Sequence, residues 1–276
     1  MNSVDKIVAL ALEEDACLED VTSKAILPPH LLAEARITAR KRLVLSGSFA
    51  AARVFDMIDP AVSVEFNVKD GAEANDGEVI AALSGPAVSI LAGERVALNF
   101  LQQLCGVATL TRRFCDAIKG TSARIVDTRK TVPGMRLLQK QAVVHGGGSN
   151  HRMSLADGVL IKDNHIAMAG SIAKAVLSAK RRAHHLLRVE VEVEDLDSVR
   201  EALGAGADAI LLDNMPLEML AAAVRLIDSR ATVEASGGIT LENVLDVARA
   251  GVNLISIGRL THSAPACDIS MDFVQP

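Results

Sequence analysis

The sequence lacks the aromatic and basic features of a nucleic-acid-binding protein. Its 276 residues include six Phe, no Trp and no Tyr, so the stacking platforms that hold single-stranded bases have little to be built from. Asp plus Glu number 34 against 29 Lys plus Arg, a formal net charge of −5, which is the wrong sign for binding by phosphate neutralisation. We therefore expect no nucleic acid among its partners.

Long apolar runs and a secretory signal are also missing. The apolar run over residues 205–212 is interrupted by Asp208 and is far shorter than the ~20 residues of a membrane span. The N-terminal segment carries acidic residues and no basic region, and its apolar spacing predicts an amphipathic helix. The four cysteines form no Cys-x-x-Cys pair, which is typical of reduced thiols rather than disulfides or zinc. These absences predict a cytoplasmic protein with no membrane partner.

Two patterns divide the chain. Residues 34–91 contain four short β-type runs separated by turn residues: ARITARKRLVL, VSVEFNV, EVIAALSG and AVSIL. Residues 91–120 follow with apolar residues at helical spacing. After Thr121, six apolar runs alternate with amphipathic helical segments: ARIVD, GVLIKD, RVEVEVE, AILLD, TVEAS and LISIG. Such alternation predicts a parallel sheet covered by helices. Because a full eight-unit barrel takes ~250 residues, about six units fit here, as an incomplete barrel or an open sheet.

Cations gather where the predicted strands end. In parallel architectures the chemistry lies on the loops at the carboxyl ends of the strands, and five basic residues lie there or nearby: Arg129, Lys130, His151, Arg152 and Lys162. Converging cations repel one another unless an anion lies between them. Singly, each could be a solvated surface charge, but together they predict a substrate with at least two carboxylates or phosphates.

Glycines and carboxylates complete the pattern at the strand ends. Ser236, Gly237 and Gly238 follow one strand and are expected to open a helix, so they form either a phosphate cradle or a tight turn. The glycines of HGGGSNHR similarly allow either a close approach to a ligand or a flexible connection. Glu192 and Asp213 end neighbouring strands and could hold Mg²⁺ or ribose hydroxyls, although alternation alone does not distinguish Glu192 from Glu190 or Glu194.

Five motifs follow one another along the second half of the chain: DTRKTVPGMRLLQKQAVVHGGGSNHRMSLADGVLIKDNHI, VEVEVE, LLDNM, EASGGIT and GRLTHSAPACDIS. They resemble the motifs of quinolinate phosphoribosyltransferases, the nicotinate-nucleotide pyrophosphorylases of NAD biosynthesis. The resemblance extends over nearly the whole chain. It implies Mg²⁺-dependent transfer of phosphoribosyl from phosphoribosyl pyrophosphate to quinolinate with decarboxylation, which gives nicotinate mononucleotide, pyrophosphate and CO₂.

The resemblance also implies a fold and a partner. We expect an α/β protein with an N-terminal α/β sandwich domain, residues 1–110, and a C-terminal incomplete parallel α/β barrel of six or seven strands, residues 111–264. The tail, residues 265–276, would pack back on the first domain. A homodimer with shared active sites, or a higher oligomer, is the expected assembly.

Site residues follow from the resemblance position by position. The residues expected at quinolinate are Arg95 (donated by the other subunit), Arg129, His151, Arg152 and Lys162. Those expected at phosphoribosyl pyrophosphate are Lys130, Lys162, Glu192, Asp213, Ser236, Gly237, Gly238, Gly258 and His262. Within these sets Lys130, Lys162, Glu192 and Asp213 are expected to be catalytic, and Glu192 and Asp213 to hold the Mg²⁺.

The chain departs from the family pattern at Glu19, Val132 and Gln141, none of which removes a charge assigned to substrate. Two alternatives remain open. One is a related phosphoribosyltransferase-like protein of molybdenum transport operons, against which the intact DTRK, HR and LIKDNH segments argue. The other is a noncatalytic sensor of phosphate ligands on the same barrel, which would show no metal-dependent turnover.

Overall fold

The computed structural model describes residues 3–274 and has the predicted α/β architecture. Its strands are β1 Leu32–Ala39, β2 Leu43–Val44, β3 Ser63–Phe66, β4 Glu73–Ala74, β5 Val79–Pro86, β6 Arg124–Val126, β7 Val159–Ile161, β8 Val189–Val193, β9 Ala209–Asp213, β10 Thr232–Ser236, β11 Leu254–Ser256 and β12 Ile269–Phe273.

Its helices are α1 Ser3–Glu14, α2 Val21–Ile26, α3 Ser48–Ile58, α4 Ala87–Ala117, α5 Arg136–His145, α6 Asp163–Ala169, α7 Ile172–Arg182, α8 Leu196–Gly204, α9 Leu217–Ile227, α10 Val244–Arg249 and α11 Arg259–His262. A short 3₁₀ helix covers Cys17–Glu19. Within residues 3–274, no helix is both long enough and apolar enough to cross a bilayer.

Contacts divide the chain into two compact units. The first contains residues 1–112, 131–147 and 260–276, and the second contains residues 113–130 and 148–259. The first unit has an antiparallel sheet in the order β12-β1-β5-β3. The tail therefore contributes a strand, in which Ile37 of β1 pairs with Met271 of β12.

The second unit is built on the predicted parallel sheet. Six strands lie in the order β6-β11-β10-β9-β8-β7, with β6 and β7 at opposite ends and not paired with each other, so the barrel is incomplete as expected. All six strands predicted after Thr121 are present. β9 is buried nearly throughout because helices cover the sheet. In β8 the valines are buried, whereas Glu190 and Glu192 share the opposite face.

One N-terminal strand prediction is wrong. Residues 87–91, AVSIL, form a short β-type run in the sequence but are the first turns of α4. Ala87 and Ile90 are both buried, and a spacing of three places them on one face of a helix, whereas in a strand they would lie on opposite faces. The 31-residue length of α4 settles the local ambiguity in favour of helix. The helix predicted over residues 91–120 is therefore confirmed but begins earlier.

Candidate active site

A cavity of about 410 Å³ opens at the carboxyl ends of the parallel strands. Its lining belongs wholly to the second unit: Thr128, Arg129, Lys130, His151, Arg152, Leu160, Lys162, Glu192, Leu211, Asp213, Glu234, Ser236 and Ser256. Eight of these thirteen were predicted as site residues. The structure thus brings the predicted cations and carboxylates to one place, as the strand-end argument requires.

Arg129 and Arg152 are close enough for their charges to interact. Burial, followed by the positive charge of Arg129, lowers the pKa of Arg152 below the usual arginine value, although Glu190 and Asp157 partly offset this. The Nη1 atom of Arg152 donates to the carbonyl of Gly158 at 2.8 Å, so the guanidinium is held in place. Two converging arginines favour an anion between them, and their planar forks suit carboxylates.

Lys162 and Glu192 form an ion pair at the rim of the cavity. Lys162 Nζ donates to Glu192 Oε2, and the side chain of Glu192 is only 18% exposed. The position of Lys162 is fixed where β7 meets α6, because its backbone N–H donates to His165 Nδ1 at 2.9 Å. The pair places a cation and a carboxylate side by side in the lining of the cavity.

Asp213 ends β9, beside Glu192 on β8. Its Oδ2 accepts from Asn214 Nδ2 at 2.9 Å, and both carboxylates line the same cavity. Two carboxylates on neighbouring strands, with room for substrate and water oxygens, match the donor set that Mg²⁺ prefers. The residues present therefore fit a magnesium ion at this rim.

His151 and Glu234, which line the cavity, form a cluster with Glu190 of β8. His151 Nε2 lies 3.2 Å from Glu190 Oε2 and 3.6 Å from Glu234 Oε2. Burial, and next the negative charge of Glu190, raise the pKa of Glu234 to about 7, whereas the charge of His151 lowers it. Ligand atoms of these three residues lie within 4.8 Å of one another.

Sequence reasoning left Glu190 open and gave Glu234 no role. Alternation along β8 places Glu190 on the same face as Glu192, but alternation does not tell which carboxylate reaches the cavity. Glu234 could have been found from its position, because it interrupts the otherwise buried interior of β10 and is 1% exposed. An acidic residue in a buried parallel strand requires a partner.

Asp127 is a second fully buried acid near the site. Its Oδ1 accepts from the backbone N–H of His151 at 2.9 Å, and its own N–H donates to the carbonyl of Ser149 at 3.3 Å. The side chain thereby ties the end of β6 to the segment that carries His151 and Arg152. It positions the loop rather than lining the cavity.

The Ser236–Gly238 segment is a turn, and the prediction that it opens a helix is wrong. Gly237 and Gly238 have φ of 83° and 61°, and a Cβ on Gly237 would lie 2.2 Å from Asn214 Oδ1. Helix α10 begins only at Val244, after an intervening loop. Positive φ leads the chain away from the strand direction before a helix can start, so only Ser236 of this motif lines the cavity.

The glycines of HGGGSNHR have a packing role in the first unit. A Cβ on Gly146 would lie 2.5 Å from the carbonyl of Ala108 and from Thr111 Cβ. Gly147 has φ of 94° just beyond the end of α5. The close approach predicted for this motif is therefore, at Gly146, an approach of α5 to α4.

Five predicted site residues do not line this cavity: Arg95, Gly237, Gly238, Gly258 and His262. Arg95 lies on α4 in the first unit, 61% exposed, with Nη2 3.9 Å from Glu94 Oε1. His262 is exposed at the end of α11, and its Nδ1 is 2.5 Å from Ser263 Oγ. The departures at Glu19, Val132 and Gln141 are all exposed positions.

A larger cavity of about 910 Å³ lies at the amino ends of the parallel strands. Arginines and aspartates line it, among them Arg124, Arg188 and Asp208. No residue predicted for the site contributes to its lining. Because active sites of parallel α/β folds lie at the carboxyl ends, the smaller cavity is the candidate active site.

Comparison with known proteins identifies the family. The model of the quinolinate phosphoribosyl transferase N-terminal domain matches residues 20–105, and that of the C-terminal domain matches residues 107–272. This chain belongs to the quinolinate phosphoribosyltransferase family. The sequence resemblance is thereby confirmed over almost the whole chain.

Curated relatives agree with this assignment. A probable nicotinate-nucleotide pyrophosphorylase of Bacillus subtilis (strain 168) is 45% identical over 259 residues, 94% of this chain and 89% of that protein. A mitochondrial quinolinate phosphoribosyltransferase [decarboxylating] of Nicotiana tabacum is 42% identical over 96% of this chain and 81% of its own length.

Solved structures share the fold closely. NadC from Streptococcus pyogenes superposes with a TM-score of 0.93 at 39% identity, covering 99% of this chain and 97% of that one. The nicotinate-nucleotide pyrophosphorylase from Francisella tularensis gives 0.93 at 36% identity, with coverage of 99% and 96%. A Pyrococcus furiosus structure at 19% identity and a TM-score of 0.74 shares the fold.

Proposed function

We propose that this chain transfers the phosphoribosyl group of phosphoribosyl pyrophosphate to quinolinate, and that decarboxylation then gives nicotinate mononucleotide, pyrophosphate and CO₂. It is a phosphoribosyltransferase of NAD biosynthesis. The observation that carries the proposal is the convergence of Arg129 and Arg152 in a cavity at the strand ends. Curated relatives that bear this activity in their names support it.

Quinolinate binding is assigned to the cationic side of the cavity. Arg129 and Arg152 would pair with the two adjacent carboxylates of the pyridine ring, and Lys162 would contribute a third cation. A monoacid such as nicotinate would leave one buried cation without its anion, which is costly in a partly dry site. The second carboxylate is therefore the basis of specificity.

The bond-forming step is attack of the pyridine nitrogen on the anomeric carbon of the ribose as pyrophosphate leaves. Glu192 and Asp213 lie where their negative charge would stabilise the positive charge that develops on the ribose. Once the ring nitrogen is quaternary, the adjacent carboxylate leaves as CO₂ and its electron pair stays on the ring carbon. Lys162 and the ring cation stabilise that negative charge, and the carbon then takes up a proton.

Mg²⁺ is the proposed cofactor, and Glu192 and Asp213 are its proposed ligands. When bound, it would neutralise charge on the departing pyrophosphate. Lys130 and Ser236, at the same rim, would bind phosphate oxygens, and the turn at Gly237 and Gly238 would offer backbone amides. Gly258 and His262 are proposed for the same substrate on the family resemblance.

The deciding assay measures pyrophosphate release from phosphoribosyl pyrophosphate with Mg²⁺, using quinolinate, nicotinate or no acid. We expect turnover with quinolinate alone, and its loss when a chelator removes the metal. Turnover with neither acid, despite binding of phosphoribosyl pyrophosphate, would refute the proposal and favour a sensor or the molybdenum-operon relative.

A homodimer with shared sites is the proposed assembly, in which Arg95 of one subunit serves the quinolinate site of the other. Mixing inactive Arg95→Ala with inactive Lys162→Ala subunits is expected to restore activity, because a hybrid dimer keeps one intact site. Each variant refolded alone is the control. Absence of restored activity would show that Arg95 does not act across the interface.

The cytoplasm is the proposed location. None of the four cysteines is in a disulfide. Burial raises the pKa of the thiols of Cys17 and Cys267, which makes them poorly reactive. Such cysteines are compatible with a reducing compartment.

A further inference from the structure

Glu234 is buried in the lining of the candidate active site without a hydrogen-bond partner. It is 1% exposed, lies in the interior of β10 and belongs to the lining of the cavity. Within the described residues, neither its Oε1 nor its Oε2 makes a hydrogen bond. Burying an acidic group in this way is costly, and the chemistry assigned above gives no reason for it. Its surroundings therefore indicate what it binds.

Ser256, on the neighbouring strand, is in the same condition. It ends β11, is 3% exposed and lines the same cavity, and its Oγ makes no hydrogen bond within the part of the chain that the structure describes. Glu234 pairs with Leu254, and Ser256 lies two positions beyond Leu254, so both polar side chains lie on one face of the sheet. Oxygen atoms without hydrogen-bond partners therefore face the cavity from two adjacent strands.

The neighbouring acid Glu190 differs because it has a donor. His151 Nδ1 accepts the backbone N–H of Arg152 at 2.8 Å, so the proton of the neutral ring lies on Nε2. This nitrogen lies 3.2 Å from Glu190 Oε2, at hydrogen-bonding distance. A hydrogen bond to a carboxylate stabilises the ion, whereas burial without a donor favours the neutral acid. Of the two acids, Glu234 is consequently the one that retains a proton.

The groups around Glu234 favour its neutral form on balance. Burial and the negative charge of Glu190 raise its pKa to about 7, whereas the charge of His151 lowers it. Its paired residues on β9 and β11 are Leu211 and Leu254, which carry no charge. The proposed metal ligands are not among the groups that shift this pKa. Near pH 7 the side chain is therefore available as an O–H donor.

Both groups lie beside the segments that are assigned to quinolinate. Ser256 pairs with Val126, the last residue of β6, and Arg129 lies in the loop that follows this strand. Ser149 also forms a bridge with Val126, which brings the segment of Arg152 to the same strand end. The two arginines line the same cavity as both groups. A carboxylate that the arginines bind would therefore meet two further O–H donors in that cavity.

We propose that Ser256 and the protonated carboxyl group of Glu234 belong to the quinolinate site, where they donate hydrogen bonds to a substrate carboxylate. The inference rests on the proposed function and extends its account of how the dianion is recognised. An O–H donor forms a short, strong hydrogen bond with a carboxylate, whereas an ionised Glu234 would repel it. Binding therefore favours the protonated acid and takes up a proton, so the affinity falls as the pH rises above about 7.

Calorimetric titration with quinolinate tests this proposal without turnover. Titrations at pH 8 in two buffers with different ionisation enthalpies give the number of protons that binding takes up. Because an acid with a pKa of about 7 is mostly ionised at that pH, we expect the unmodified protein to take up about 0.9 proton. Its dissociation constant should be at least about tenfold larger at pH 8.5 than at pH 6.5. The KM for quinolinate, from initial rates at the same two pH values, should rise likewise.

Two variants and a matched control separate the roles. Glu234→Gln keeps the volume and an N–H donor but cannot take up a proton. It should bind quinolinate within about threefold of the unmodified protein at pH 6.5, and at least about threefold more tightly than it at pH 8.5. Ser256→Ala should weaken binding by about tenfold at both pH values and keep the proton uptake. Glu218→Gln changes an exposed acid in the first turn of α9 and should alter neither quantity.

Proton uptake that persists in Glu234→Gln would assign the proton to another group, such as His151, and would overturn the inference. So would an affinity of the unmodified protein that is equal at pH 6.5 and pH 8.5, or an unchanged affinity in Ser256→Ala. A bound metal ion that Glu234→Gln loses, found by elemental analysis, would show that the cluster with His151 and Glu190 holds a metal instead. Failure of the proposed function is distinguishable, because the unmodified protein would then neither bind quinolinate nor turn it over.

Discussion

Replacing Arg152 by lysine keeps the positive charge at the quinolinate site but removes the planar fork. In the structure one arm of the guanidinium is used on the Gly158 carbonyl at 2.8 Å, and the rest of the fork faces the cavity. A carboxylate bound there would accept two parallel charge-assisted hydrogen bonds. Lysine supplies one of them, so one is lost.

The size of the effect follows from that single lost contact. A hydrogen bond to a charged group contributes about 1.5–3 kcal/mol, and each ~1.4 kcal/mol is a factor of ten. Arg152→Lys is therefore expected to lower kcat/KM for quinolinate by about tenfold to about 150-fold. The KM for phosphoribosyl pyrophosphate should change little, because its assigned groups lie on other strands.

Initial rates measured against each substrate in turn provide the assay. Arg200→Lys is the matched control, because Arg200 forms an exposed ion pair with Asp197 on α8 and such pairs contribute little. The control should be indistinguishable from the unmodified protein. A loss of less than about threefold in Arg152→Lys would refute bidentate binding of a carboxylate by this arginine.

Three further predictions concern the carboxylates and the turn. Glu192→Gln should raise the Mg²⁺ concentration needed for half-maximal rate by at least about tenfold, because one anionic ligand is lost. Measuring the rate across a Mg²⁺ titration gives this concentration, and an unchanged value would contradict the assignment of Glu192 as a metal ligand. Glu234 has a folded-state pKa of about 7 against its usual 4.5, so between these pH values the folded protein retains a proton that the unfolded chain releases. Its contribution to the free energy of unfolding therefore falls as pH rises from 4.5 to 7, by at most about 3 kcal/mol. Between pH 5 and pH 7.5, the thermal unfolding midpoint should therefore fall less for Glu234→Gln than for the unmodified protein. Equal decreases in the midpoint would exclude a raised pKa. Gly237→Ala should destabilise the protein by about 1–2 kcal/mol or more, because Gly237 has a positive φ and lies against Asn214. Gly204→Ala is the control, because a Cβ there would lie in open space at a helix end. The unfolding midpoint should fall for Gly237→Ala and not for Gly204→Ala, and equal midpoints would contradict the prediction.

The second unit was predictable because its strands have strong, repeated signals. Each of the six runs after Thr121 is short, apolar and β-branched, and each lies between turn residues and a helical pattern, so local propensity and tertiary context agree. The strand prediction for AVSIL failed because five residues span less than two turns of a helix, too few for periodicity to distinguish a strand from a helix. Only the long continuation into α4 distinguishes them.

The site was predictable to the extent that chemistry follows strand ends. Arg129, Lys162, Glu192 and Asp213 all lie at the carboxyl end of a strand, and all reach one cavity. Glu234 was missed because it lies within β10 rather than after it. Its side chain nevertheless lines the cavity. The start of α10 was predicted too early, because the positive φ of two glycines delays the helix. The spacing of apolar residues in the sequence gives no indication of a positive φ.

Buried acids beneath the cavity explain how several cations can remain charged so close together before substrate binds. Burial and Arg129 both lower the pKa of Arg152, and Glu190 opposes them. Asp127 and Glu234 add acidic groups that are 0% and 1% exposed, and Glu234 belongs to the lining of the cavity. Asp127 accepts a hydrogen bond from the backbone N–H of His151 and so holds the cationic segment, while Glu234 Oε2 lies 3.6 Å from His151 Nε2. Rigid placement of the cations matters most for a dicarboxylate, because both carboxylates must meet their partners at once. Side chains that are already ordered before binding lose less conformational entropy when the substrate binds.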